Sequence, residues 1–140
     1  YSMADVFTKT KRSEEMSRIR GKGNKSTEIR LLKLFRKHNI KGWRRHQPMP
    51  GKPDFVFPKE RLAVFVDGCF WHGCPKCYTP PKQNREFWEE KIGGNIRRDR
   101  RVSRKLRMDG WSVCRIRECR LRKPVSVIRL IRRMLIFNPA

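Results

Sequence analysis

Apolar positions recur at helical spacing near the start of the chain. Ile29, Leu32 and Phe35 form a stripe, Leu31 and Leu34 lie beside it, and Ser26-Thr27-Glu28 supplies an opening turn, which predicts a helix to about His38. Gly42 lies just past its end, and Trp43 to Gln47 reads as a short strand. Pro48-Met49-Pro50-Gly51-Lys52-Pro53 is turn chemistry. Asp54-Phe55-Val56-Phe57 and Leu62-Ala63-Val64-Phe65-Val66 then read as two strands joined by Pro58-Lys59-Glu60-Arg61. A hairpin of that length pairs Phe57 with Leu62 and sets Asp54 opposite Phe65, so Asp54 comes close to Val66 and Asp67. From Asn84 to about Met108 runs a helical segment with a break expected at Gly93-Gly94. Trp111 to Arg117 predicts a strand, and Pro124 begins a last helix carrying Val127, Ile128, Leu130, Ile131 and Leu135. The order α, three or four strands, α, β, α is that of a small mixed α/β domain over 25–140. Ahead of it, 3–24 is polar and basic. Met16 and Ile19 are too sparse for a core helix there, so this stretch reads as an arm that orders on meeting its partner. Tyr1-Ser2 before Met3 reads as an addition made for expression and is set aside.

Charge narrows the function classes. Among 140 residues, 36 Lys and Arg oppose 13 Asp and Glu, a formal +23. Such an excess repels itself in the compact state, and a polyanion relieves it. Nucleic acid is the first partner this implies, because neutralising phosphates releases counterions. An anionic membrane is disfavoured: no apolar run approaches about 20 residues, and no signal peptide is evident.

The five cysteines all fall from position 69 onward, at 69, 74, 77, 114 and 119. Cys69, Cys74 and Cys77 have the C-x4-C-x2-C spacing of a metal knuckle, and structural zinc needs a fourth ligand. Cys119 follows the end of a predicted strand, whereas Cys114 lies mid-strand between Val113 and Arg115, where a thiol behaves as a small hydrophobe. The set assigned is Cys69, Cys74, Cys77 and Cys119, with Cys114 and His72 as rivals for the last place. Four thiolates fill a tetrahedron and leave no position for water, which makes the role structural.

Taken singly, Asp54 and Asp67-Gly68 are ordinary turn residues. The hairpin brings both carboxylates and the Val66 carbonyl together, and hard oxygen ligands of that kind suit Mg2+ and a phosphate. His72, a few residues on, is placed to act as general base on a water, so the set has the parts for metal-assisted phosphodiester hydrolysis. Phe70 and Trp71, with Trp88 further on, are by default core aromatics. Next to a metal-pinned loop they can also project as wedges that unstack a weakened base pair.

Four stretches together resemble the very-short-patch repair endonucleases: PGKPDF at 50–55, FVDGCFWHGCPKCY at 65–78, EFWEEKIGGNIRRDRR at 86–101 and DGWSVCRIREC at 109–119. The MADV start at 3–6 and the basic arm are similar too. The resemblance implies a restriction-endonuclease-like mixed sheet flanked by helices. It also implies Mg2+-dependent nicking of one DNA strand, 5′ of the mispaired T at a T:G mismatch left by deamination of 5-methylcytosine. It implies Asp54 as principal Mg2+ ligand with the Val66 carbonyl, His72 as the catalytic histidine, and Glu28 as an acid near the active site. Phe70, Trp71 and Trp88 become the wedge beside the mismatch, and the arm over 3–24 clamps the DNA from the other groove. A monomer, cytoplasmic and nucleoid-associated in a bacterium or archaeon, working beside mismatch-repair proteins, completes the expectation. Two departures stand out: Asp67 occupies the place of a second histidine, and Cys74 makes the zinc set all-thiolate. The acid-x-Lys of the broader nuclease superfamily is absent, since Asp67-Gly68-Cys69 stands there. A zinc-stabilised DNA-binding protein that does not cut is the competing expectation. A ribosomal or RNA-binding protein fits the composition but leaves the acid–histidine–aromatic cluster without a job.

Overall fold

The computed structural model describes residues 26–137, so the arm expected over 3–24 lies outside them. Helix α1 covers 26–37. It is followed by β1 (Arg44–Arg45), β2 (Phe55–Phe57), β3 (Leu62–Asp67), α2 (Arg85–Met108), β4 (Ser112–Arg117), a 3-10 turn (Glu118–Arg122) and α3 (Pro124–Phe137). The four strands form one sheet in the order β1-β2-β3-β4. β1–β2 and β2–β3 are antiparallel and β3–β4 is parallel. A parallel neighbour needs a long crossover, and α2 provides it.

Two cores flank the sheet. On one side Leu31 and Phe35 of α1 and Val127, Ile128 and Ile131 of α3 pack on Phe55, Phe57, Val64, Val66 and Ile116. On the other, Leu106 of α2 packs on Ala63 and Phe65. With helices on both faces β3 is buried along its whole length, which is why its sequence runs apolar without alternation. Phe57 pairs with Leu62 and Phe55 with Val64, as the four-residue hairpin predicts.

Three expectations are corrected. The strand near Trp43 is only Arg44–Arg45, because His46 takes a left-handed backbone (φ 53) and ends the pairing. The buried stripe of α1 runs Thr27, Glu28, Leu31 and Phe35, with Ile29 and Leu32 only half-buried. That rotation carries Glu28 inward. Finally, α2 is continuous through Gly93-Gly94. Two glycines in a helix interior cost about 1 kcal/mol each relative to alanine, and the docking of the inward face offsets this.

That inward face is one stripe: Ile92, Asn95 and its neighbour Ile96, Asp99, Ser103 and Leu106, recurring every three or four residues along the helix. Asn95 donates to the Trp71 carbonyl at 3.0 Å. Ile92 and Ile96 lie over Gly73, which has φ +57; a Cβ there would stand 2.9 and 2.8 Å from them. Gly51 does the same for the loop before Asp54, where a Cβ would collide with Val102 of α2. Both glycines are therefore required by close approach.

Candidate active site

The site is built where β3 ends. Asp54 sits one residue before β2, and its Oδ2 accepts the Val66 N–H at 2.7 Å. The hairpin register therefore delivers the proximity that the sequence predicts. Burial pushes the Asp54 carboxyl up to about 6; Glu28 and Asp67 add to the rise, while the Val66 N–H and His46 oppose it. Repulsion among three carboxylates is relieved by a cation, and oxygen donors suit a hard one. Asp54 is thus a hard oxygen donor of the kind a divalent ion takes.

Glu28 is buried and doubly held. Arg45 Nη2 donates to its Oε1 at 2.7 Å, and His46 Nε2 lies 2.9 Å from the same oxygen. Neither Arg45 nor His46 stood out in the sequence. The αL backbone of His46 is the structural signal, since such conformations gather at functional sites.

On the α2 side of the sheet lies a second cluster. β3 and β4 are parallel with Phe65 opposite Arg115, so Phe65, Asp67 and Arg115 share one face. The Arg115 guanidinium stacks 4.1 Å from the Phe65 ring centroid. Its Nη1 donates to both Asp67 oxygens at 3.1 and 3.3 Å, its Nε to Ser103 Oγ at 2.8 Å and its Nη2 to the Asp99 carbonyl at 3.3 Å. His72 Nδ1 is hydrogen-bonded to Asp99 Oδ2 and lies 3.8 Å from Asp67 Oδ1. Burial lowers the His72 pKa, but the Asp99 hydrogen bond and the charges of Asp67 and Asp99 outweigh it, and the net shift is upward. Burial raises the Asp67 pKa, with His72 and Arg115 opposing. Asp67, His72 and Asp99 lie close enough to hold an ion. Because Arg115 occupies both Asp67 oxygens and Asp99 takes His72 Nδ1, they form a hydrogen-bonded cluster instead. It opens into a cleft of about 650 Å³ lined also by Arg100, Arg104 and Arg107, a basic wall suited to phosphates.

Sequence reasoning missed Asp99 and Arg115. Asp99 is the lone acid in NIRRDRRVSRK, and it falls on the inward stripe of α2.

The four thiols of Cys69, Cys74, Cys77 and Cys119 come together, each within 4.8 Å of the others, and Cys74 Sγ is 3.9 Å from Cys119 Sγ. A zinc tetrahedron with bonds of about 2.3 Å has edges near 3.8 Å, so the cluster fits that ion. Cys114 is buried in the sheet and takes no part. Glu118 Oε1 accepts the Cys69 N–H at 3.1 Å and ties the knuckle to the turn after β4.

The aromatics form an edge-to-face cluster beside it. Phe70 meets Trp71, Trp88 and Tyr78 at centroid distances of 5.6, 5.3 and 5.8 Å. Trp71 is only 6 % exposed, while Phe70 and Trp88 are half-buried.

A small mixed sheet flanked by helices holds a buried carboxylate just before one strand and an acid-anchored histidine in the loop after the next. Its fold is similar to that of the homing endonuclease I-Bth0305I catalytic domain, which superposes with a TM-score of 0.57 at 18% identity, covering 81% of this chain and 97% of that one. Residues 4–79 match the family model described as DNA mismatch endonuclease Vsr. DNA mismatch endonuclease Vsr of Escherichia coli is 40% identical over 122 residues, 86% of this chain and 77% of that protein. Type II nicking enzyme V.NmeDIP of Neisseria meningitidis is 41% identical over 113 residues, 79% and 76% of the two chains. The chain belongs to the Vsr mismatch endonuclease family and is a DNA-nicking endonuclease.

Proposed function

We propose that this enzyme nicks one strand of duplex DNA 5′ of the mispaired T at a T:G mismatch, with Mg2+ as cofactor and zinc as a structural ion. The acid-anchored histidine, together with the buried carboxylate fastened to the Val66 N–H, carries this reading. Asp54 and the Val66 carbonyl would hold the Mg2+, and Glu28, itself gripped by Arg45 and His46, supports the acid side of the site. When bound, the ion supplies a Lewis acid that polarises the phosphoryl oxygen. His72 supplies the base: Asp99 takes Nδ1–H, which leaves Nε2 to accept the proton of a water as its oxygen bonds to phosphorus. The bond to the leaving oxygen breaks, and solvent returns a proton to that oxygen. Asp67 faces the same cleft from the opposite flank of His72.

Cys69, Cys74, Cys77 and Cys119 hold the zinc that fixes the knuckle. Phe70, Trp71 and Trp88 press on the mismatched step; Phe70 and Trp88 offer the accessible edge, and Trp71 backs them from the interior. The basic arm over 3–24 closes on the opposite groove. The enzyme acts as a monomer in the cytoplasm, and mismatch-repair proteins follow its nick; no described helix is long and apolar enough to cross a membrane.

The test is a strand-labelled duplex with one T:G pair beside a fully paired control, with and without Mg2+. Cleavage of the T strand alone, only in the mismatched duplex and only with the ion, is expected. Asp54→Ala should abolish it, and His72→Ala should slow it by about 10²-fold or more. Tight binding with no nick under any divalent ion points instead to a DNA-binding protein that does not cut.

A further inference from the structure

Two carboxylates face one imidazole nitrogen. His72 Nδ1 carries a single proton, Asp99 Oδ2 is bonded to that nitrogen, and Asp67 Oδ1 waits 3.8 Å away. Left alone, both acids compete for one N–H, and the ring can turn toward either. A turned ring, or one with its proton on Nε2, has no lone pair aimed at the cleft. A third group settles the competition. Arg115 Nη1 occupies both oxygens of Asp67, and Nη2 of the same guanidinium holds the Asp99 carbonyl. The fork is itself fixed: its plane lies over the Phe65 ring and its Nε donates to Ser103. A planar, five-donor guanidinium can satisfy four partners at set angles, which an ammonium cannot.

We propose that Arg115 is a positioning residue for strand cleavage: by drawing both oxygens of Asp67 to its Nη1, which stands farther off, 3.8 Å, from Asp99 Oδ1, it leaves Asp99 the preferred acceptor of His72 Nδ1–H and so fixes Nε2 as the basic nitrogen. The inference rests on His72 being the general base. Arg115 itself touches neither water nor phosphate in this role. Its sequence position hides the function, since an arginine within the strand VCRIR, beside a strongly basic helix, looks like one more phosphate contact.

The test uses Arg115→Met, which keeps an unbranched stem against Phe65, and Arg115→Lys, which restores charge without the fork. Single-turnover nicking of a T:G duplex by Arg115→Met should fall about tenfold to a hundredfold, while the Kd of the zinc-loaded protein for that duplex without Mg2+ stays within about threefold, as expected for one lost phosphate contact or none. Arg115→Lys should recover only part of the rate. In an Asp67→Asn background, where the competing charge is gone, Arg115→Met should cost less than about twofold more. The second readout needs no Mg2+ and no turnover: long-range 1H–15N NMR of the zinc-loaded protein without Mg2+, at a pH above the imidazole titration. The wild type should show one Nδ1–H tautomer for His72, Arg115→Met a mixture, and Asp67→Asn/Arg115→Met one tautomer again. An unchanged His72 ring in Arg115→Met overturns the inference. So does a rate loss that is undiminished in the Asp67→Asn background, or a loss wholly in Kd. If His72 is not the base, the tautomer shift appears without a rate change, which separates failure of the underlying function from failure of this one.

Discussion

Asp54 should be a stability burden that catalysis requires. Its carboxyl is pushed up from 3.8 to about 6, chiefly by burial. Between those two values the folded protein binds the proton that the unfolded chain has lost, so stability falls as pH rises through that window. At about 1.36 kcal/mol per unit, the difference reaches about 3 kcal/mol once pH is above the folded value. Asp54→Asn removes the ionisation and keeps an oxygen to accept the Val66 N–H. With zinc in place and Mg2+ left out, at pH 7.5, the variant should therefore be more stable by about 2–3 kcal/mol, or about 10 °C in Tm for a domain this size. The gain should shrink as pH is lowered and be mostly gone near pH 4, where the folded carboxyl is protonated and the unfolded one is close to its own value of 3.8. Nicking should be lost throughout. Urea denaturation of both proteins across pH 4–8 measures the curve. A variant that is no more stable at pH 7.5, or whose advantage persists undiminished at pH 4, refutes the reasoning.

Other outcomes follow from the same geometry. Cys77→Ser should lose one bound zinc in native mass spectrometry and melt earlier, whereas Cys114→Ser, outside the cluster, should keep the ion. Gly73→Ala should cost about 1–3 kcal/mol in denaturant titration, since it combines a positive φ with a Cβ 2.8–2.9 Å from Ile96 and Ile92. The His72–Asp99 pair raises the folded pKa of the imidazole, so its stabilisation is fully present below the unfolded value and is lost as pH rises through the folded one. Asp99→Asn should therefore destabilise more at acid pH than at alkaline pH, and equal destabilisation at both ends would contradict the pairing.

The parts of the site legible in the sequence are those set by short-range geometry. A four-residue connection leaves little choice of register, so Asp54 could be placed beside Val66 before any coordinates. Cys119 could be preferred over Cys114 because a residue past a strand end is free to reach a loop, while one in mid-strand is committed to the sheet. Asp99 and Arg115 were hidden by their surroundings: among so many basic residues a charged side chain reads as a solvated face. Helical spacing alone would have exposed Asp99, since it shares its stripe with Ile92, Ile96 and Leu106. Arg115 needed the parallel pairing of β3 with β4, which no local pattern encodes. The rotation of α1 was missed for a related reason. Its buried stripe includes Glu28, and an apolar count cannot anticipate a carboxylate turned inward to meet Arg45 and His46.

The parallel β3–β4 pair also sets when during synthesis a nuclease can exist. A growing chain that has emerged only as far as α2 already carries Glu28, Asp54, Asp67 and His72, and even Asp99. It has no β4, so β3 keeps an open edge, Asp67 lacks its guanidinium and the knuckle lacks Cys119. The site closes only when residues past 112 arrive and add a strand beside one laid down some 50 residues earlier. Such non-local pairing comes late in folding, after the loop-closure entropy has been met. The sheet edge, the Asp67–Arg115 contact and the knuckle are thus complete only once β4 and Cys119 have been added.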